Sequence, residues 1–295
     1  MNAKLLACLT AAIRDATRHT FEISNATPVG GGNINQAFRL ESGKGERYFL
    51  KINDTRHHAM FIAEAAGLHA LAATNTLRVP RSIAHGIAGD RGYLVLEYLE
   101  LGSRGNARLL GERLAALHRC TADQFGFAGD NFIGITLQPN TRTNDWIGFW
   151  RQHRLGFQLR LAARNGYGGR LQGLGERLLD ALPAFFAGYS PQPSLLHGDL
   201  WGGNHAFLPD GTPAIFDPAA YYGDRECDLA MTELFGGFPE SFYAAYHAIW
   251  PLDPGYARRR DLYNLYHILN HANLFGGDYA TQAEQMMQRL LTEHG

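Results

Sequence analysis

No run of apolar residues in this chain approaches the roughly 20 needed to span a bilayer, and neither sign of charge prevails. Its 27 Lys and Arg against 28 Asp and Glu leave a formal net charge of -1. The first absence argues against a membrane-spanning protein. The second removes the global basic field that draws nucleic acid or anionic lipid. Small-molecule partners are expected, with no nucleic acid and no membrane. Cysteine is scarce as well: Cys8, Cys120 and Cys227 stand too far apart for a CxxC pair, which argues against a zinc site or a disulfide framework. They read as reduced thiols of a cytoplasmic protein. Leu5-Leu6-Ala7-Cys8 looks like a lipoprotein cleavage box, but the apolar region before it is too short for a signal sequence. Leu5, Leu9 and Ile13 repeat instead at helical spacing, so residues 3 to 18 are expected to form an amphipathic helix. The 13 histidines show no repeated metal-ligand spacing and read mostly as surface or helix-cap residues.

What the chain does have is length and apolar content. With 295 residues and 45% hydrophobic side chains it can bury a large core and exceeds the usual size of one compact unit, so two lobes are expected. From residue 20 the pattern is that of a small sheet. Phe21-Glu22-Ile23 opens a strand, and a glycine-rich turn, Val29-Gly30-Gly31-Gly32-Asn33-Ile34-Asn35, leads to a second strand over residues 36 to 40. Glycine lets a backbone approach phosphates closely and present its N–H groups; a plain hairpin turn is the competing reading. In Tyr48-Phe49-Leu50-Lys51-Ile52 one lysine interrupts an apolar strand. The following helix, about residues 58 to 73, places Glu64 on a face shared with Met60, Gly67, Leu68 and Leu71. A carboxylate on an apolar stripe needs a cation, and Lys51 is the candidate. Such a pair positions the α and β phosphates of a nucleotide. The apolar strand over residues 93 to 99 then reads as a hinge, where the Glu97 carbonyl and the Leu99 amide would bond adenine.

The densest signal lies further on, in Leu195-Leu196-His197-Gly198-Asp199-Leu200-Trp201-Gly202-Gly203-Asn204 and Ile215-Phe216-Asp217-Pro218. Asn204 follows Asp199 by five residues and Asp217 follows it by eighteen. The layout reads as a phosphoryl-transfer centre in which one carboxylate meets the acceptor hydroxyl while an amide and a second carboxylate hold magnesium at the nucleotide phosphates. The rest of this half is helical by periodicity: residues 106 to 119, residues 145 to 164 with Trp146, Phe149 and Trp150, and two stretches within residues 256 to 293. These aromatics read as core rather than cofactor contacts.

The strings FLKIN, LVLEYLEL, LAALHR, FGFAGDNFIG, HGDLWGGN and DPAAYYGDRECDLAMTELFGGF, with the glycine-rich loop, resemble the fructosamine kinase (ketosamine 3-kinase) family nearly end to end. Aminoglycoside and choline kinases, which share the overall fold, match only the shorter His-x-Asp and Asp motifs. The resemblance implies an α+β, protein-kinase-like, two-lobed fold: a small antiparallel-sheet N-terminal lobe over residues 1–99, ending in the hinge, and a larger, mainly helical C-terminal lobe over residues 100–295. It implies ATP and Mg2+ as cofactors and a fructosamine-type or ribulosamine-type ketoamine, or another glycated amine, as substrate, phosphorylated on the 3-hydroxyl in protein deglycation. Carried over, the family motif makes Asp199 the catalytic aspartate, Asn204 and Asp217 the magnesium ligands, and Lys51 and Glu64 the nucleotide-positioning pair. Asp228 is expected to brace the catalytic loop without a catalytic role.

Trp201 is the first candidate to face the sugar, since an indole offers a flat apolar surface to C–H groups; the competing reading makes it a buried loop anchor, with Tyr222 and Trp146 next in line for the pocket. Arg142 stands where the family has a tryptophan, Cys227 where it has valine, and Asn33 where some relatives carry cysteine. Two other functions keep the same residues in play. An aminoglycoside-type or other small-alcohol phosphotransferase would need all of them, whereas a nucleotide-binding pseudokinase usually lacks one of Lys51, Asp199, Asn204 or Asp217.

Overall fold

Leu5, Leu9 and Ile13 form the buried stripe of α1 (Ala3–Thr17), and the Asn2 side chain caps its amino end by accepting a hydrogen bond from the Leu5 amide at 2.9 Å. In the computed structural model, which describes residues 1–30 and 34–294, that stripe packs on a five-stranded antiparallel sheet. The strands are β1 (Ile23–Val29), β2 (Gln36–Ser42), β3 (Arg47–Asp54), β4 (Ser82–Ala88) and β5 (Arg91–Glu97), in the spatial order β1-β2-β3-β5-β4. Leu40, Leu50, Ile52, Tyr93 and Val95 join the α1 stripe and Phe21 in one apolar cluster. Because side chains alternate along a strand, Lys51, between Leu50 and Ile52, projects away from that cluster. There it meets Glu64 of α2 (His58–Ala73).

Residues 1–106 form one compact unit together with residues 206–217. That returning segment pairs β9 (His205–Phe207) with β10 (Pro213–Ile215). It is tied in by two hydrogen bonds between the Gly102 and Phe207 main chains, at 2.8 and 2.9 Å, and by the Ile215 amide donating to the Arg78 carbonyl at 2.9 Å. The expected division after residue 99 therefore differs from the one found. The first unit runs on to residue 106 and takes Asp217 with it, because main-chain pairing holds residues 206–217 to this unit. The strand before the hinge also ends at Glu97, and residues 98 to 100 follow it without regular structure.

The second unit, residues 107–205 with the chain from residue 218 onward, is mainly helical. Its helices are α3 (Ala107–His118), α4 (Trp146–Phe149), α5 (Gly156–Arg164), α6 (Arg170–Phe185), α7 (Glu226–Leu234), α8 (Glu240–Ile249), α9 (Tyr256–Phe275) and α10 (Tyr279–His294). Two short antiparallel pairs accompany them: β6 (Asn131–Ile133) with β7 (Thr136–Gln138), and β8 (Ser194–Leu196) with β11 (Tyr221–Gly223). Leu171, Leu178, Tyr263, Leu269 and Met287 are among its core residues.

The single helix expected over residues 145 to 164 is interrupted by a π-helical turn, Trp150–Leu155. Gly156 follows it, where a Cβ would collide with the Arg151 carbonyl. The wide turn carries Arg154 inward to full burial, with its guanidinium 4.1 Å from the Tyr221 ring centre and donating to the Pro139 carbonyl and to Asn140 Oδ1. Among the described residues no helix is long and apolar enough to cross a membrane.

Candidate active site

Lys51 is 5% exposed, and its ammonium lies 2.7 Å from Glu64 Oε1 and 2.6 Å from Asp217 Oδ1. Burial alone would lower its pKa, but Asp217 and then Glu64 outweigh burial and raise it, so the side chain stays cationic. Glu64 is itself largely buried, whereas the Asp217 side chain is 46% exposed. Lys51 therefore has one partner that fixes it and one that faces outward. Asp217 adopts φ 58, a left-handed conformation that short acidic residues tolerate better than most, and so is one of few non-glycine residues with positive φ. The Glu97 carboxylate accepts hydrogen bonds from Arg78 at 2.5 Å and from the Arg81 amide at 3.2 Å. The Glu97 main-chain amide donates to the Arg81 carbonyl at 2.8 Å, and Leu99 follows two residues later, half-buried. Gly30 follows β1 with no atom within 4 Å of a Cβ built on it; Gly31, Gly32 and Asn33 lie outside the described residues.

The second set belongs to the other unit. β8 delivers the chain into the loop that begins at His197, and β11 pairs with it so that Leu196 faces Tyr221 and Leu195 faces Tyr222. Gly198 has φ 82, and a Cβ there would strike the Ala219 carbonyl, so only glycine fits. Asp199 follows at once. Asn204 donates from Nδ2 to the Asp199 carbonyl at 2.8 Å and to its Oδ2 at 3.1 Å, which leaves the amide oxygen as the atom suited to a hard cation. Among the described residues there is no group of three His, Cys, Asp or Glu that could cage a metal. That donor set fits an ion held chiefly by nucleotide phosphates plus one or two protein oxygens.

Asp228 of α7 is 1% exposed, and its two oxygens accept the His197 amide at 2.7 Å and the Gly198 amide at 2.8 Å. Burial would raise its pKa, but the hydrogen bonds from His118 and the Gly198 amide outweigh that and hold it below the ordinary carboxylate range. It is the expected brace. The histidine beside it was not foreseen: His118 is fully buried, with Nε2 3.2 Å from Asp228 Oδ2. His197 and His267 are buried too, exceptions to the reading of the histidines as mostly surface or cap residues. The signal for His118 lay in the LAALHR string, where it closes the apolar stripe of α3.

Trp201 is 39% exposed and meets Phe235, 38% exposed, edge-on with ring centres 6.2 Å apart; Phe235 in turn lies 5.3 Å from the His271 ring. The Trp201 indole also covers the backbone at Gly203, where a Cβ would overlap the ring. It is thus no buried anchor. Trp146 must be corrected as a pocket candidate. It is 4% exposed, donates from Nε1 to Tyr263 Oη at 3.1 Å and is stacked against Phe149, so its surface is spent in the core. Tyr222 is half-buried beside Phe127, with ring centres 6.3 Å apart. Arg142 is exposed on the Phe127 to Arg142 cleft, and Cys227 is buried in the core.

His267 of α9 supplies a pH prediction. It is 6% exposed, and its Nδ1 has no hydrogen-bond partner among the described residues; burial, and secondarily His271, push its pKa down to about 3. The folded value lies below the unfolded value of about 6.5, so the unfolded chain takes up the proton first. The stability that neutral His267 confers is complete above about pH 6.5 and is lost as pH falls from there toward 3. Its share of the slope approaches at most about 1.4 kcal/mol per pH unit. Urea unfolding of the wild type and of His267→Gln between pH 7.5 and 5 is expected to show a shallower acid decline in the variant; parallel declines would contradict it.

The family model described as fructosamine kinase matches residues 6–293. A probable ketoamine kinase of Synechocystis is 50% identical over 283 residues, covering 95% of this chain and 94% of that protein. The chloroplastic protein-ribulosamine 3-kinase of Arabidopsis thaliana is 43% identical over 275 residues, covering 92% of this chain and 83% of its own. Among solved structures, a Haemophilus somnus protein assigned as a fructosamine-3-kinase superposes with a TM-score of 0.88 at 29% identity, over 96% of each chain. An amicoumacin kinase in complex with AMP-PNP and Ca2+ shares the fold alone, at 15% identity and a TM-score of 0.61 over 99% of this chain and 94% of that one.

Proposed function

This chain belongs to the fructosamine kinase family, and from that premise we propose that it transfers the γ-phosphoryl group of ATP to the 3-hydroxyl of a fructosamine-type or ribulosamine-type ketoamine, with Mg2+ as the metal. An ATP-dependent phosphotransferase acting on a hydroxyl is what the family and its relatives indicate. The observation that carries the nucleotide side is the buried Lys51 cation held between Glu64 and an outward-facing Asp217. In this reading Lys51 binds the α and β phosphates, and main-chain groups at Glu97 and Leu99 take the adenine. Asp199 accepts the hydrogen bond of the substrate hydroxyl, turns its oxygen toward the phosphoryl group, and takes its proton as the bond forms. Asn204 and Asp217 would hold magnesium, which when bound offsets charge on the phosphates. The chain contributes position and electrostatics rather than covalent chemistry.

The acceptor side favours a ketoamine over an aminoglycoside. A polycationic aminoglycoside calls for several carboxylates, whereas the catalytic loop presents the exposed indole of Trp201, edge-on to the ring of Phe235, with His271 behind. A flat apolar face suits the C–H edge of a single sugar. A ketoamine 3-phosphate would lose its phosphate by elimination and free the amine, which gives the reaction its place in deglycation. A cytoplasmic setting belongs to the same proposal; all three cysteines are free thiols.

The test is a phosphorylation screen over fructosamines, ribulosamines and aminoglycosides, with the product position read by phosphorus NMR. A 3-phosphate from ketoamines supports the reading, and preferential use of aminoglycosides would overturn it. Trp201→Ala should weaken kcat/KM for the ketoamine by about 1 to 3 kcal/mol while sparing ATP. With melting temperature as the fold control, equal losses toward both substrates would move the sugar pocket elsewhere, first to Tyr222.

A further inference from the structure

Behind the Asp228 brace the hydrogen bonds continue through groups with no part in the chemistry described above. Tyr246 of α8 is fully buried; its Oη lies 2.8 Å from His118 Nδ1 and receives a hydrogen bond from Arg225 Nη1 at 3.2 Å. Arg225 is fixed in turn by donating to the Trp250 and Pro251 carbonyls and by stacking 4.1 Å from the Trp250 ring centre. A glycine makes this contact possible. A Cβ on Gly111 of α3 would collide with the Phe242 carbonyl of α8, so without it the two helices could not approach closely enough for Tyr246 to reach His118.

The direction of each bond follows from donor chemistry. Arginine only donates, so Tyr246 Oη accepts from Arg225 and turns its own hydrogen to His118 Nδ1. With Nδ1 accepting, the proton of a neutral imidazole sits on Nε2, where it donates to Asp228 Oδ2. The opposite tautomer would set a bare Nε2 lone pair against a carboxylate oxygen. The series therefore runs one way, from Arg225 through Tyr246 and His118 to Asp228, whose oxygens hold the His197 and Gly198 amides next to Asp199.

We propose that Tyr246 is a positioning residue for phosphoryl transfer, its hydroxyl fixing the His118 ring so that Nε2 meets Asp228, which holds the catalytic loop. The link to transfer rests on the kinase reading above; the link to the loop does not. Removing the hydroxyl leaves His118 Nδ1 buried without a partner, so the ring loses one of the two hydrogen bonds that orient it, and its hold on Asp228 loosens.

Tyr246→Phe keeps the ring and deletes only that hydroxyl, and it is tested in the full-length protein by two readouts. Hydrogen exchange at the His197 and Gly198 amides should quicken about tenfold, the scale of one net hydrogen bond, while core amides such as those of Leu265 and Met231 keep their rates. The kcat with the best ketoamine of the screen should fall about tenfold with KM for ATP unchanged. In combination with His118→Asn, the second substitution should add nothing to the first. Unchanged loop amides, an equal acceleration throughout the core, or additive losses in the double variant would each overturn the proposal. Quickened loop amides in a protein that phosphorylates no ketoamine would leave the relay standing and remove the proposed substrate instead.

Discussion

Asp199→Asn is expected to leave folding and ATP affinity near wild type and to cut turnover by about 100-fold or more, the usual scale for loss of a general base. The two side chains have nearly the same volume, and an asparagine oxygen turned toward Asn204 Nδ2 can keep the bond that Asp199 Oδ2 accepts at 3.1 Å. The loop glycines and the Asp228 brace are untouched. What disappears is a group that can take the proton of the attacking hydroxyl, because an amide has no comparable basicity. Single-turnover rates at saturating ketoamine and magnesium, with nucleotide affinity from calorimetry and a thermal melt alongside, measure the effect. Near-normal turnover in a folded, nucleotide-binding variant would remove Asp199 from the chemistry.

Asp217→Ala carries the other large effect, with turnover expected to drop about 1,000-fold or more and its magnesium dependence to change in form. Two functions go at once. The side chain is the acidic oxygen donor proposed for a cation otherwise held by few protein groups, a role that would be worth several kcal/mol of charge stabilisation. It is also one of the two carboxylates that keep Lys51 charged and placed, at 2.6 Å. Glu64 remains at 2.7 Å, so the lysine stays paired and the fold should survive. The left-handed backbone at this position adds a control: Asp217→Asn tolerates φ 58 and should separate loss of charge from backbone strain. Rates titrated with magnesium decide between the roles. An alanine variant with wild-type magnesium dependence would show that Asp217 serves only to hold Lys51.

The chemistry-bearing residues were legible because each sits where a local pattern makes it anomalous. Lys51 breaks an apolar strand, and the structure puts it opposite Leu50 and Ile52 as strand alternation requires. Glu64 interrupts an apolar helix stripe and finds that lysine. The helix over residues 58 to 73 and the amphipathic amino-terminal helix were likewise plain from periodicity, which depends only on neighbours three and four positions away. The π-helical turn at Trp150–Leu155 was not plain, since its residues carry the same apolar spacing as the helices around it. What selects the wide turn is the buried seat of Arg154 among Tyr221, Phe149 and Asn140.

Residue types and intervals by themselves determined that a carboxylate, an amide and a second carboxylate follow one another at Asp199, Asn204 and Asp217 at the spacing proposed for phosphoryl transfer, and that a cation and an anion stand in the strand and helix before them. Those are properties of order along the chain, and phosphoryl transfer restricts which residue types can serve. Only the tertiary structure decided which tryptophan is open and which is core. Trp201 and Trp146 are alike as letters, but one lies over a glycine beside Phe235 while the other is enclosed by Tyr263, Phe149 and Trp150. The setting of Asp228 was settled there as well, since its partner His118 comes from more than 100 residues away in the chain and meets Tyr246 at a still larger separation. Burial and donor direction are relations between distant segments, and they exist only once packing has set those segments side by side.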